Sequence, residues 1–399
     1  MTNSSVGNTQ TKYTSASGFE LFPIIFLMGM FYLNFLPRLI MAPLMVTIEQ
    51  ELHIGHDDSG GFFLLISAGY CILLFFSGFI SSRISHRKTI ILSICASGFV
   101  LILISFSNSL WLIRAELFLL GLTLGPYFPS GLATIPTLVP AKHQGKAISI
   151  HELSPSLSFV TAPIIAEIFL HIWSWRGLLA VVGIVSMIAA FLFSRYGKGG
   201  QFNGEPPTFK NLGLLIKDRS FLIMSFLFVL GMGAGIGLYT MMPLYLVSER
   251  MFDRELANTL MSLSRIPGLV TVLIAGFALD KLGLKRTLII VLVVTGILTI
   301  ALGTLPNQGI VPVLFLQYMV SVCFFPAGWM AITLIGHPSA RNVAISLAVP
   351  ISYIFGGGLV PAGIGFSGEH GSFAFAIILF GVLMIIGGLL SKLLKLRSL

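Results

Sequence analysis

Charge is what this 399-residue chain has least of. Asp, Glu, Lys and Arg make up 10% of it, against roughly 25% in a soluble domain. With 55% hydrophobic residues and a mean hydropathy of +0.94, no aqueous fold hides this much apolar surface, so the expected solvent is lipid. Cysteine is also scarce. Cys71, Cys95 and Cys323 lie in apolar runs, where a thiol behaves as a small hydrophobe, and no disulfide or zinc spacing exists. A Gly-Lys-Ser/Thr phosphate loop is missing, which excludes ATP as a direct driver. A nucleophile elbow and paired catalytic aspartates are missing too. His151-Glu152 is not a zinc motif, because Pro155 stands at the fourth position after His151. An enzyme is therefore not expected, nor a metal or cofactor. The first 18 residues are polar and lack a cleavable signal pattern.

What the chain does have is itself, twice. Residues 276–286, GFALDKLGLKR, echo residues 78–88, GFISSRISHRK, 198 positions earlier. Met41-Ala42-Pro43-Leu44 returns as Met241-Met242-Pro243-Leu244, Phe128-Pro129-Ser130-Gly131 as Phe325-Pro326-Ala327-Gly328, and Ala147-Ile148-Ser149 as Ala344-Ile345-Ser346. Four ordered matches within three residues of one offset, in an apolar chain, are the signature of a secondary transporter built from two related halves.

Apolar runs of about 20 residues read as membrane helices. They fall near 21–47, 60–80, 89–106, 110–135, 146–170, 177–195, 219–247, 257–279, 287–305, 310–335, 343–366 and 372–392. The fold class is thus an all-α membrane protein of twelve helices. An N-terminal tail (1–18), a first half (19–195), a linker (196–218), a second half (219–392) and a short tail (393–399) follow. With the N-terminus in the cytoplasm, only Arg176, Arg250 and Arg254 of the 24 Lys and Arg fall outside. Arg38, Arg114 and Arg265 lie within helices, and the remaining 18 fall inside. Both termini are therefore expected in the cytoplasm. The net charge of +9 is then a topology signal and needs no nucleic-acid partner. A monomer in a bacterial inner membrane is the expected setting.

The loop at Gly276–Arg286, G-x-x-x-D-[KR]-x-G-x-[KR]-[KR], resembles the signature loop of the major facilitator superfamily. Its second-half copy carries Gly276, Asp280, Lys281, Gly283, Lys285 and Arg286. The first-half copy keeps Gly78, Arg83 and Arg87, but Ser82 replaces the acid and Ser85 the second glycine. The resemblance implies alternating access, with helices 1, 2, 4, 5, 7, 8, 10 and 11 lining a cavity and 3, 6, 9 and 12 outside. It also implies that the acid of this loop braces a neighbouring helix when the cytoplasmic side is closed. Asp280 with Arg341 is the expected latch, and the first half should lack its strength.

Ionised groups at mid-bilayer cost at least ~2.5–3.5 kcal/mol, so they mark a wet cavity or a partner. At 1.5 Å per residue, Arg38 and Arg265 both lie roughly 12–14 Å below the outer surface. Two planar guanidinium forks at one depth, one from each half, point to a carboxylate, sulfonate or phosphate. Gln317, Tyr318 and Tyr239 are polar candidates for the same site. Arg114 and Glu167 are expected to form a structural pair. Glu116, Glu152 and His151 are candidates for proton coupling, since a carboxyl in low dielectric readily takes up a proton; Glu116 is a candidate partner of Arg38. The reading is a secondary transporter of a small organic anion, with a proton or a counter-anion as coupling partner. Efflux of amphipathic or cationic compounds is the alternative, and a non-transporting membrane sensor the reading from another class.

Overall fold

The structure, a computed structural model, describes residues 20–206, 217–335 and 341–396. The tail 1–18, the middle of the 196–218 linker, the last three residues and the side chain of Arg341 lie outside the described residues. Every span expected from hydropathy is helical. The first half comprises α1 (Leu21–Leu52), α2 (His56–Ile84), α3 (His86–Phe106), α4 (Leu110–Thr137), α5 (Ala141–Ile172) and α6 (Trp175–Tyr196). The second comprises α7 (Arg219–Glu249), α8 in two pieces (Arg254–Leu263 and Ile266–Leu282), α9 (Leu284–Thr304), α10 (Asn307–Thr333), α11 (Arg341–Ser352 running on to His370) and α12 (Phe373–Leu393). Eleven of these are long and apolar enough to cross a membrane. The two-piece α8 makes the twelfth passage.

The repeat is physical as well as textual. Gly98 of α3 and Gly183 of α6 let the two backbones touch, and a Cβ on either would strike the other's carbonyl. Gly296 of α9 and Gly381 of α12 do the same, each 198 positions later. Small residues permit such close approach where lipid gives no hydrophobic drive for helix association. Ser174 caps α6 by accepting from the Gly177 N–H, and Ser372 caps α12 by accepting from the Phe375 N–H, again 198 apart. Glu51 ends α1 and takes the Trp175 indole N–H at the head of α6. Glu249, 198 on, ends α7 and takes the Ser372 hydroxyl and Phe373 N–H at the head of α12. Outward-facing Phe99, Ile188, Ile297 and Leu379 on these four helices are exposed, as a lipid-facing band requires.

The loops at the near end, where residues 20 and 396 lie, differ between halves. Gly283 has φ +77° and ψ 157°. Ser85, in the equivalent place, has φ +80° and ψ 156°. The turn survives the loss of its glycine, and a non-glycine residue held there costs of order 1–3 kcal/mol. The segment after α6 holds it. Gly200 and Phe202 accept from the Arg87 and His86 N–H groups, and the Gly204 N–H donates to the Ser81 carbonyl. Arg87 itself caps α6, its Nη2 donating to the carbonyls of Phe193 and Ser194. The first-half loop is thus a static fastening within its own half. Ser85→Gly should relieve the strain and stabilise the protein by about 1 kcal/mol, read as a higher melting temperature in detergent. An unchanged or lower melting temperature would mean that the turn is not strained.

Candidate functional site: a central cavity with buried arginines

Between the halves lies a cavity of about 390 Å³. It is lined from α1, α2, α4, α5, α7, α10 and α11, and nine of its twenty lining residues are aromatic. Its walls carry two charged side chains, Arg38 and Glu152. Arg38 is buried, and its guanidinium carbon lies 3.7 Å from the centre of the Tyr70 ring and 5.5 Å from that of Tyr353. Its Nη2 donates to Asn34 Oδ1 at 2.8 Å. Asn34 is oriented by its own amide, which donates to the Leu124 carbonyl at 3.1 Å. Arg38 Nε has no partner, and no carboxylate is within ion-pair distance among the described residues. Aromatic faces offset part of the desolvation of such a cation.

Arg265 occupies a similar cage one layer back. Its guanidinium carbon is 3.9 Å from the Tyr318 ring centre, 4.7 Å from Tyr239 and 5.1 Å from Phe159. It is also buried without a carboxylate, and its Nε is unpartnered. Tyr318 stands on the cavity wall in front of it. The two arginines expected to share one wall are therefore in two shells. Tyr239 lies with Arg265 behind the wall and reaches the Phe159 carbonyl at 3.5 Å. Gln317 turns away altogether: it is buried toward α9, its Nε2 donating to Thr299 Oγ1 at 3.5 Å. Neighbours on a helix point about 100° apart, so Tyr318 and Gln317 cannot both face the cavity.

The remaining titratable groups separate. Glu152 is half open to the cavity, and its Oε1 meets His151 Nδ1 at 3.1 Å. His151 is fully buried, stacked on Phe31 at 4.4 Å, with its Nε2 3.3 Å from the Tyr127 hydroxyl. Glu116 is away from the cavity and from Arg38. It faces the end of α3, where Ser107 Oγ donates to it at 2.8 Å.

The expected Arg114–Glu167 pair does not form. Arg114 pairs with Asp58 in the first turn of α2. Glu167 faces the other half: Arg254 Nη2 lies 3.2 Å from it, and Asn258 Nδ2 donates to its other oxygen. Depth alone had matched Arg114 to Glu167, but their helices turn these side chains to different neighbours. Asn258 also donates to the Pro43 carbonyl at 3.1 Å, and Arg254 to Thr47 Oγ1 at 3.1 Å. This knot was missed because Arg254 reads as an ordinary loop charge. With the His56 N–H donating to Glu369 at 2.7 Å and the close approach of Gly60 to Pro361, it closes the far end of the cavity. Toward the near end the walls bear the more exposed Glu152 and Trp329. Asp280 there is exposed, with no ion pair among the described residues.

Residues 24–348 match the Major Facilitator Superfamily, and the chain belongs to it. It is a multi-pass membrane transporter, not an enzyme. It is 24% identical over 251 residues to a Na(+), Li(+), K(+)/H(+) antiporter of Planococcus maritimus; the match covers 57% of this chain and only 58% of that protein. It is 25% identical over 324 residues to the uncharacterized MFS-type transporter YceJ of Bacillus subtilis, covering 79% and 81%. Among solved structures it resembles a bacterial homolog of the human lysosomal transporter Spinster in an inward-facing, unoccupied conformation. The TM-score there is 0.79 at 14% identity, covering 95% of this chain and 98% of that one.

The far-end knot yields a prediction. Glu167→Gln removes the charge that holds Arg254 and should shift the population toward far-end opening by roughly 5- to 150-fold. Spin labels at Ile168→Cys and Leu256→Cys, on the α5 and α8 sides of the knot, should then report a longer-distance population. An unchanged distance distribution would reduce the knot to surface decoration.

Proposed function

We propose that this protein carries a small organic anion with an apolar body by alternating access, coupled to a proton or to a counter-anion. The observation that supports this most is Arg38: a buried guanidinium on the cavity wall, lacking a carboxylate, with its Nε free. The fork suits a carboxylate or another planar or tetrahedral oxyanion. The surrounding rings suit the rest of the molecule, and about 390 Å³ is at the small end of ligand cavities. Arg265 acts through Tyr318, fixing that ring and adding positive potential from behind. In this reading the far end is the outer face, both termini are cytoplasmic, and the cavity is open inward. Asp280 is then free in this state and engages the head of α11 only when the inner side closes.

Coupling is assigned to Glu152 with His151, because Glu116 does not reach the cavity. The exposed Glu152 also favours a second reading, efflux of cationic amphipaths. The relative named as a cation/proton antiporter leans the same way. Arg38 opposes it, since a cation would enter against a fixed guanidinium.

Three measurements decide. A thermal-shift screen with mono- and dicarboxylates, sulfonates, phosphate esters and nitrate should stabilise the wild type with at least one apolar anion. Arg38→Lys should weaken that binding at least tenfold, or about 1.4 kcal/mol, since an ammonium cannot replace a fork. Arg38→Ala should abolish uptake while expression survives, and normal uptake by it would sink the anion site. For coupling, Glu152→Gln should lose accumulation driven by a pH gradient in proteoliposomes yet keep counterflow exchange. Full accumulation would transfer the coupling to a counter-anion.

A further inference from the structure

We propose that Glu152, His151 and Tyr127 form a three-member proton relay whose protonation state is transmitted to the backbone of α1, the helix that carries Arg38. The inference deepens the assignment of the coupling proton to Glu152 and rests on it. Its basis is hydrogen-bond bookkeeping. Tyr127 Oη lies 2.9 Å from the Leu27 carbonyl, which can only accept, so the hydroxyl donates there. The same oxygen, 3.3 Å from His151 Nε2, must then accept a proton from that nitrogen. At the other side of the ring, Nδ1 meets Glu152 Oε1 at 3.1 Å. A bare Nδ1 facing a carboxylate would set two lone pairs against each other. One proton must therefore sit between them, as imidazolium with carboxylate or as imidazole with carboxylic acid.

Release of one of the two protons on the His151–Glu152 pair to the cavity leaves one on the ring, and with Glu152 kept against Nδ1 the arrangement that satisfies the ring has that proton at Nδ1. His151 takes the other tautomer: Nδ1–H donates to the Glu152 carboxylate, and Nε2 becomes an acceptor. The Tyr127 hydroxyl then turns to donate to Nε2, and the Leu27 carbonyl loses it. Loss of one proton at the cavity wall thus breaks a tie between α4 and α1. Ring packing holds Tyr127 and His151 in place for this swap. The Tyr127 and His151 rings are parallel within 3°, and Phe31 stacks on both at interplanar angles of 9° and 8°. Ser154 holds the adjacent turn to α1, donating to the Met28 carbonyl at 2.7 Å.

The charged and titratable groups near the relay are few. From α1 come the Leu27 carbonyl and the Phe31 face and, further along the same helix on the cavity wall, the charged Arg38. From α2 and α11 come Tyr70 and Tyr353. Behind α4, His86 is engaged with Ser130 at 3.2 Å.

The test needs no substrate, so it is independent of the anion reading. Infrared difference spectra of the purified full-length protein are recorded across a pH titration and compared with those of Glu152→Gln, Tyr127→Phe and His151→Gln. The expected result is a carboxyl, an imidazole and a tyrosine C–O signal that share one midpoint. Glu152→Gln should erase all three, and Tyr127→Phe only the tyrosine signal. If Tyr127→Phe does not fold, His151→Gln serves, and should leave the carboxyl titrating with the tyrosine silent. A wild-type carboxyl signal assigned to Glu152 without a coupled tyrosine signal overturns the relay and leaves Glu152 as the proton carrier. Absence of any Glu152 signal overturns both.

Discussion

Two buried guanidinium groups without carboxylates are the constraint around which the rest of this molecule is arranged. A cation in low dielectric normally draws an acid to itself or loses its charge, and arginine does not lose its charge. Here each is surrounded by aromatic faces, and Arg38 by a single oriented amide. That arrangement lowers the cost without cancelling the field. An acid at bonding distance would close the site to an incoming anion. The cavity therefore has to be shielded from lipid on all sides, which requires α3, α6, α9 and α12 to serve as an outer layer. The glycine pairs Gly98–Gly183 and Gly296–Gly381 bind that layer to itself. Within each half the outer helices are thus in close backbone contact, and the two halves meet through the remaining contact between them.

That contact is uneven along the bundle. Glu167, Arg254 and Asn258 join the halves at the far end. At the near end the fastenings run within a half: Arg87 on the tail of α6 and the residues after α6 on the α2–α3 loop. A two-body machine needs one end closed and the other free in any given state. The degraded first-half loop fits this scheme. Its serine at position 85 keeps the turn, and its basic residue Arg87 is used for packing within the half. In the complete second-half copy Asp280 is exposed.

The fold was largely legible in the sequence, because a membrane demands apolar length and the repeat supplied its own check. The observed helices overlap every expected span and extend most of them by a few residues, as α1 does from 47 to Leu52, while α9, α10 and α12 miss one to two residues at one end and α8 is broken at 264–265. Of the two arginines read from the sequence, Arg38 stands on the cavity wall and Arg265 lies behind Tyr318. Azimuth was not legible. Whether a residue faces a cavity, a neighbour or lipid depends on helix rotation, and the weak amphipathicity of these spans leaves that angle open. The pairing of Arg114 with Glu167 failed for this reason, as did the placement of Gln317 beside Tyr318. Tyr127 went unnoticed because its role rests on Leu27, a hundred residues away, and sequence spacing cannot show such a contact.

Hydrogen-bond direction, unlike azimuth, follows from chemistry once positions are known. A carbonyl only accepts, a carboxylate only accepts, and a neutral imidazole does one of each. Applied from Leu27 to Glu152, these rules leave a small set of proton arrangements, and they tie a side chain in the cavity to the backbone of α1. The same helix presents Arg38 eleven residues further on. Substrate charge and proton charge would then act on one element from two places along its length. A transporter needs that coupling if the binding of one is to alter the energy of the other. No long-range pathway is required: the shared part is one continuous helix, Leu21–Leu52, and in the proposed scheme both sites bias its hold on its neighbours.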